Sequence, residues 1–315
     1  MQGKANSNPE SQLWVETPLV LSKHLSSLLD CDVYLKLENL QPSQSFKYRG
    51  ISLFAQHLKN LNGNQAHLVI ASGGNAGYAA ACASKQLGLR CTVYLPEGAT
   101  PYMLRLLRNE GAQVIIHGSY YYEALQEAER KAADDPFACL IPAYDDEMLQ
   151  TGHGSIISEI SNQLGSKPDA IFCSVGGAGL LGGVIKGCES SGWNDVPIIA
   201  LETRGSACFY HSMSINNGRW SDTLPEGAVC SHNDRYDVQL ANIQIKSKAS
   251  SLGATSPSAA VVNASLNRPG GVVCVTIPDE MAMRSTCLFA EDHKFLVELA
   301  CSTTLQIKTR DLGER

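Results

Sequence analysis

No stretch of this 315-residue chain is apolar for long enough to cross a bilayer. The longest strongly apolar run without a charge, Ala170 to Ile185, falls short of the ~20 residues of a spanning helix and is broken by glycines. The start, Met1 to Gln12, is polar and carries no apolar signal-peptide core. The expectation is a cytoplasmic protein with no membrane partner. Basic charge is not in excess, with 25 Lys and Arg against 31 Asp and Glu. A nucleic-acid partner, which needs a clustered basic face to neutralise phosphates, is therefore not expected. There are eleven cysteines but no CxxC pair, which argues against a zinc ribbon and a disulfide framework. Cys82, Cys173, Cys188 and Cys274 lie in apolar runs, where free thiols pack as small hydrophobes. GxSxG, HExxH and P-loop strings are also missing.

What is present is the composition of a globular protein, 44% hydrophobic and 18% charged, long enough for about two domains. Short β-rich runs alternate with helical patterns, which predicts an α/β fold with mostly parallel sheet. The expected strands are Asp32–Leu37, His67–Ala71, Cys91–Leu95, Gln113–His117, Ala170–Val175, Ile198–Glu202 and Val272–Ile277. The expected helices are Tyr48–Leu61, Tyr78–Leu87, Pro101–Asn109, Tyr120–Ala133, Gly154–Leu164, Leu180–Ser190 and Asp279–Asp292. Asn216 to Gln244 is polar and weakly patterned and reads as a loop or lid.

Two glycine turns each follow a buried strand and open a helix. The first is Ser72-Gly73-Gly74-Asn75-Ala76-Gly77. Its glycines let a ligand approach the backbone, and N–H groups at a helix start suit a carboxylate or phosphate. Asn75 adds a donor and an acceptor. The second is Gly176-Gly177-Ala178-Gly179, whose string Gly177 to Gly182 fits GxGxxG, with Glu202 following about 20 residues on. That is the dinucleotide fingerprint, yet the same physics cradles any phosphate, so the cofactor stays open between NAD and another phosphate-bearing group. Two such halves predict a shared crevice beyond the strand ends. A third element, Gln41 to Gly50, places Lys47 at a helix start, where an ammonium is disfavoured and Schiff-base chemistry is favoured.

KLENLQPSQSFKYRG, then ASGGNAG, then SVGGAGLLGG resembles, in order and spacing, the serine/threonine dehydratases, pyridoxal-phosphate (PLP) lyases of the tryptophan-synthase-β fold type. The TVYLPEGA, GAQVI, TGHGSI, LETRGS, SLGA and VELAC stretches are similar too, so the likeness runs from about Pro18 to Leu305. It implies two open twisted, mostly parallel sheets flanked by helices. The small domain would run from 41 to 142, and residues 1–40 and 143–315 would form the large PLP domain.

The resemblance implies that Lys47 holds PLP as a Schiff base, that Phe46 packs on the ring and that Asn75 bonds the 3-hydroxyl. The amides of Gly176, Gly177, Ala178, Gly179 and Leu180 would bind the phosphate, and Ser72, Gly73, Gly74 and Asn75 the substrate carboxylate. Glu202, with Gly176, Ser206, Leu252 and Ala254, matches a monovalent-cation (K+) site. The implied reaction is deamination of L-serine or L-threonine to a 2-oxo acid and ammonia. Another PLP lyase, a β-replacement enzyme and a catalytically impaired paralogue stay open as alternatives. The likeness is also compatible with a homodimer.

Five departures stand out. Gln44 and Ala178 occupy positions where the family has glycine, and Leu299 one where it has proline. Ser302, Thr303 and Thr304 replace a small GAA run. The family continues for some tens of residues past the VELAC-like segment, through a strand and a turn that bonds the pyridine nitrogen. The expectation here is a shortened C-terminus lacking that partner.

Overall fold

The computed structural model describes residues 12–220 and 223–305. Near the start, β1 (Leu19–Leu21) and β2 (Tyr34–Lys36) pair antiparallel around helix α1 (Lys23–Leu29). Helix α2 (Lys47–Asn62) leads into β3 (His67–Ala71), α3 (Asn75–Leu87), β4 (Arg90–Leu95), α4 (Pro101–Asn109), β5 (Gln113–Ile116), α5 (Tyr121–Asp134) and β6 (Ala138–Leu140). These four strands form one parallel sheet in the order β5-β4-β3-β6. The central strand β3 is an unbroken apolar run because helices cover both of its faces.

Helix α6 (Glu147–Leu164) crosses to a second series: β7 (Ile171–Ser174), α7 (Gly179–Ser190), β8 (Ile198–Thr203) and α8 (Cys208–Asn217). After the hairpin β9 (Val229–Asn233) and β10 (Val238–Asn242) come α9 (Ala259–Leu266), β11 (Val272–Ile277), α10 (Asp279–His293) and α11 (Leu299–Ser302). Strands β7, β8 and β11 form a second parallel sheet in the order β11-β8-β7. Two mostly parallel sheets flanked by helices is the architecture expected from the sequence.

Each sheet has its own core. Leu68, Ile70, Val93 and Leu95 pack under the alanine-rich α3 and against Tyr48 and Ile51 of α2. Cys173, Ile198, Ala200 and Cys274 pack with Leu181, Val184 and Phe209. All eleven cysteines are free thiols. The two turns singled out in the sequence follow β3 and β7, at the carboxyl ends of the two sheets.

Three expectations need correction. The segment 216–244 holds the antiparallel hairpin β9–β10 rather than a loop. Its strand β9 is exposed and polar, so it lacks the alternation that marks a half-buried strand. Helix α6 begins at Glu147, seven residues before the expected start, so the Gly152-His153-Gly154 string is helical. Its glycines are a packing device, since a Cβ on Gly152 would lie 2.6 Å from Gly50 Cα in α2. Helix α3 likewise starts at Asn75, inside the stretch read as a turn.

Candidate active site

Lys47 is the first residue of α2, as the sequence predicts. Its Nζ donates to the Ala143 carbonyl at 2.5 Å and lies 5.4 Å from the Phe46 ring centroid. Burial lowers the Lys47 ammonium from its ordinary 10.5 to about 8. The helix start points the same way, but loss of solvent is the cause. Phe46 is fixed edge-on against His153, with ring centroids 5.0 Å apart. His153 is fully buried, and neither ring nitrogen has a hydrogen-bond partner.

The second glycine turn has the form of an anion cradle. Its amides, from Gly176 to Leu181, donate to no acceptor among the described residues. Those of Gly179, Leu180 and Leu181 form the first turn of α7, where the partial positive charge of the helix is exposed. Side chains could not be added there. A Cβ on Gly177 would come within 2.5 Å of the Tyr144 ring, and one on Gly176 within 2.8 Å of the Leu252 carbonyl. Ala178 is tolerated because its methyl, 2% exposed, joins the core cluster of Leu181 and Val184. Its backbone nevertheless holds a φ of 69°.

The first turn, Ser72 to Asn75, opens α3. Ser72 Oγ accepts from the Gly74 amide at 3.3 Å. A Cβ on Gly77 would lie 1.9 Å from the Ser72 carbonyl oxygen, so only glycine permits this tight entry. Asn75 donates its side-chain amide to both oxygens of Glu298, at 3.1 Å each.

The cation-site residues are brought together only in part. Ser206 donates its hydroxyl to the Leu252 carbonyl at 2.6 Å, and the Ala254 amide bonds that same carbonyl at 2.8 Å. Glu202 is fully buried and bonds none of these, accepting instead from the amides of Phe209 at 3.1 Å and Tyr210 at 2.6 Å. Burial raises its pKa well above the carboxylate range, although these two bonds oppose the rise. No group of three or more His, Cys, Asp or Glu placed to hold a metal occurs among the described residues.

Several residues of the site were not singled out in the sequence. Ala143 meets Lys47, and Tyr144 beside it packs on Gly177 and Gly179 while its hydroxyl donates to the Ser256 carbonyl at 2.8 Å. Arg49, fully buried, bonds Glu38 and Glu159 bidentately, and Lys36 adds a second cation at Glu159, 2.7 Å away. This cluster ties the helix carrying Lys47 to α6. Glu298 and Ser251 come from remote segments. They stand in the family-like VELAC and SLGA stretches, but their contacts, 47 and 223 positions apart, leave no trace in the local sequence.

The family model described as pyridoxal-phosphate dependent enzyme matches residues 10–314. A human L-serine dehydratase/L-threonine deaminase is 36% identical over 293 residues, 93% of this chain and 82% of that protein. A human serine dehydratase-like protein is also 36% identical, over 92% of this chain and 80% of its own length. Among solved structures, an L-serine ammonia-lyase from the fungus Rhizomucor miehei superposes with a TM-score of 0.81 at 32% identity, covering 94% of this chain and 86% of that one. Among the described residues, no helix is long and apolar enough to cross a membrane.

Proposed function

This chain belongs to the pyridoxal-phosphate-dependent enzymes, and from that premise we propose that it deaminates L-serine, L-threonine or both to the 2-oxo acid and ammonia. The observation that carries the reading is Lys47. Its amine, lowered to about 8 by burial, stands at a helix start beside the Phe46 ring, and Tyr144, next to Ala143, packs on the glycines of the phosphate-type turn. An amine with such a pKa is substantially neutral near pH 8, as a nucleophile and a proton acceptor must be.

The residues present fit the cofactor. Lys47 would hold it covalently, with Phe46 on the ring and Asn75 on the 3-hydroxyl. The amides of Gly176, Gly177, Ala178, Gly179 and Leu180 would take the phosphate, in a cradle where an added Cβ at Gly177 would strike Tyr144. The bound cofactor supplies an electron sink for the charge left when the substrate Cα loses its proton.

The protein's own residues do the rest. The turn Ser72–Asn75 receives the substrate carboxylate and orients the Cα–H bond toward Lys47. The free Lys47 amine takes the Cα proton at Nζ. Loss of the β-hydroxyl as water, and later return of one water at Cα with release of ammonia, balances the reaction. Packing of His153 on Phe46 keeps that side of the site dry.

The same reading divides the chain into a small unit, 41–142, and a large one, 1–40 and 143–315. In its support, all four strands of the first sheet fall within 67–140 and all three of the second within 171–277. It also assigns a K+ site to Glu202, Gly176, Ser206, Leu252 and Ala254, where a cation would offset the buried carboxylate. Small-molecule substrate alone is the expected partner, in a homodimer.

Following 2-oxo acid and ammonia from L-serine and from L-threonine, with and without an added thiol, tests the proposal. Equal yields of 2-oxo acid and ammonia, unchanged by the thiol, are expected. Incorporation of the thiol into an amino-acid product would make the protein a β-replacement enzyme instead.

A further inference from the structure

Arg49, two residues beyond Lys47, is the largest fully buried side chain among the described residues. Its Nε and Nη2 donate to the two oxygens of Glu38, at 2.7 Å each. Its Nη1 and Nη2 donate to the two oxygens of Glu159, at 2.6 and 2.7 Å, and Nη1 also donates to the Ser155 hydroxyl at 2.9 Å. Lys36 donates to Glu159 at 2.7 Å, and the Thr17 hydroxyl to Glu38 at 2.6 Å. Two cations thus face two carboxylates, and the cluster is electrically balanced. None of its members is among the residues assigned to the cofactor, the substrate carboxylate or the cation.

The cluster sits where it controls the start of α2. Glu38 stands just before the loop 41–46 that leads to Lys47, and Arg49 just after it. Their bonds pin the two ends of that loop to each other, and Glu159 pins both to α6. The loop carries Gln44 at a φ of 59°, a backbone state that side chains rarely adopt and that its surroundings must hold in place. Gly50 presses the same turn of α2 onto α6, since a Cβ there would lie 2.5 Å from the Leu149 carbonyl oxygen.

Stability alone does not explain a buried ion cluster, because well-packed apolar residues in its place are often as stable or more so. What a guanidinium fork adds is direction: paired N–H···O bonds fix an angle as well as a distance. On a helix, residues two apart point about 200° from each other. The fork therefore grips one side of the first turn while Lys47 leaves from another.

We propose that Arg49 is a positioning residue for Lys47: its fork to Glu38 and Glu159 fixes the loop 41–46 and the first turn of α2, and so sets the direction from which the lysine amine meets the cofactor aldehyde. The inference rests on the reading of Lys47 as the Schiff-base residue. A reacting group displaced by about 1 Å loses up to about a hundredfold, even when the change is made away from the chemistry.

The test compares two ligands of the cofactor-free full chain. PLP can form the Schiff base. 4′-Deoxypyridoxine 5′-phosphate has the same ring and phosphate but a methyl group in place of the aldehyde, so it binds without using Lys47. Arg49→Lys keeps the charge and removes the fork. Glu38→Gln, at the less buried end of the cluster, weakens one arm and decides the matter if Arg49→Lys does not fold. The expected result is PLP binding weakened about tenfold in Arg49→Lys and by a smaller factor in Glu38→Gln, with the analogue changed by less than about twofold in both. Equal weakening of PLP and analogue overturns the proposal, because the cluster then only supports the fold of the site. Unchanged binding of both ligands overturns it as well. A Lys47→Ala protein that binds PLP as tightly as the wild type removes the Schiff-base reading itself, and the proposal falls with it.

Discussion

Gln44 and Ala178 share a backbone conformation that side chains rarely adopt, with φ of 59° and 69°. Gln44 lies in the turn before Lys47 and Ala178 in the turn before α7. Both are positions where the resemblance expects glycine, and the chain has kept the glycine geometry without the glycine. The left-handed conformation costs a residue with a Cβ about 1–2 kcal/mol, while glycine brings back part of that as unfolded-chain entropy. Gln44 is exposed, so Gln44→Gly should raise stability by about 0.5–1 kcal/mol. Ala178 is buried, and the packing of its methyl offsets the relief, so Ala178→Gly should be nearly neutral. Urea unfolding midpoints check both. A clear loss of stability in Gln44→Gly would contradict the strain argument.

The parts of this molecule legible in the sequence are those with local causes. Central parallel strands such as β3 read as apolar runs because both faces are covered. Lys47 and the two glycine turns were legible because strand, turn and helix are contiguous. The Arg49 cluster was not, since Arg49 meets Glu38 and Glu159 across 11 and 110 positions. Gly152-His153-Gly154 misled because glycines are weak helix formers, and only tertiary contacts explain them, of Gly152 with Gly50 in α2 and of Gly154 with Gly183 and Gly187 in α7. Residues 306–315, where the shortened terminus was expected to matter, lie outside the described residues.

Arg49 should be the costliest single truncation near the site. Burial alone would push the Glu159 carboxyl up, but hydrogen bonds from Arg49 and Lys36 hold it below its ordinary value. Removing the guanidinium strands two carboxylates that are almost out of solvent. Arg49→Ala is expected to cost about 3–5 kcal/mol, the range for breaking a buried ion pair from one side. Thermal or denaturant unfolding measures it, and a loss under about 1 kcal/mol would show that the cluster is solvated in solution.

The Lys47 amine sets a pH dependence. Its protonated form predominates below about 8 and cannot attack an aldehyde; the neutral form predominates above. The rate at which cofactor-free protein captures PLP should therefore rise with pH and reach its half-maximum near pH 8. Stopped-flow mixing across a range from about pH 6.5 to beyond the ordinary lysine pKa would show it. A half-maximum near the ordinary lysine value of 10.5 would mean that Lys47 is solvated.

His153 should couple stability to pH in the opposite range. Burial, and then the charges of Lys47 and Arg49, hold its pKa well below 6.5. The unfolded chain thus takes up a proton, near pH 6.5, that the folded chain refuses. This contribution is fully present above that pH and is lost as pH falls below it, by at most ~1.4 kcal/mol per pH unit. His153→Leu, which also removes two unpartnered buried nitrogens, should flatten the acid limb of the stability profile. An unchanged limb would place the imidazole in contact with solvent.

The central claim is that Lys47 anchors PLP and moves the proton. The most direct test is the visible absorbance of purified protein with PLP, followed by L-serine, beside a Lys47→Ala variant. The account predicts a Schiff-base band in the wild type that shifts on adding L-serine, with release of 2-oxo acid. The variant should show neither the band nor the product. A Lys47→Ala protein that still forms the band and still releases 2-oxo acid would contradict the account, because another group would then carry the chemistry.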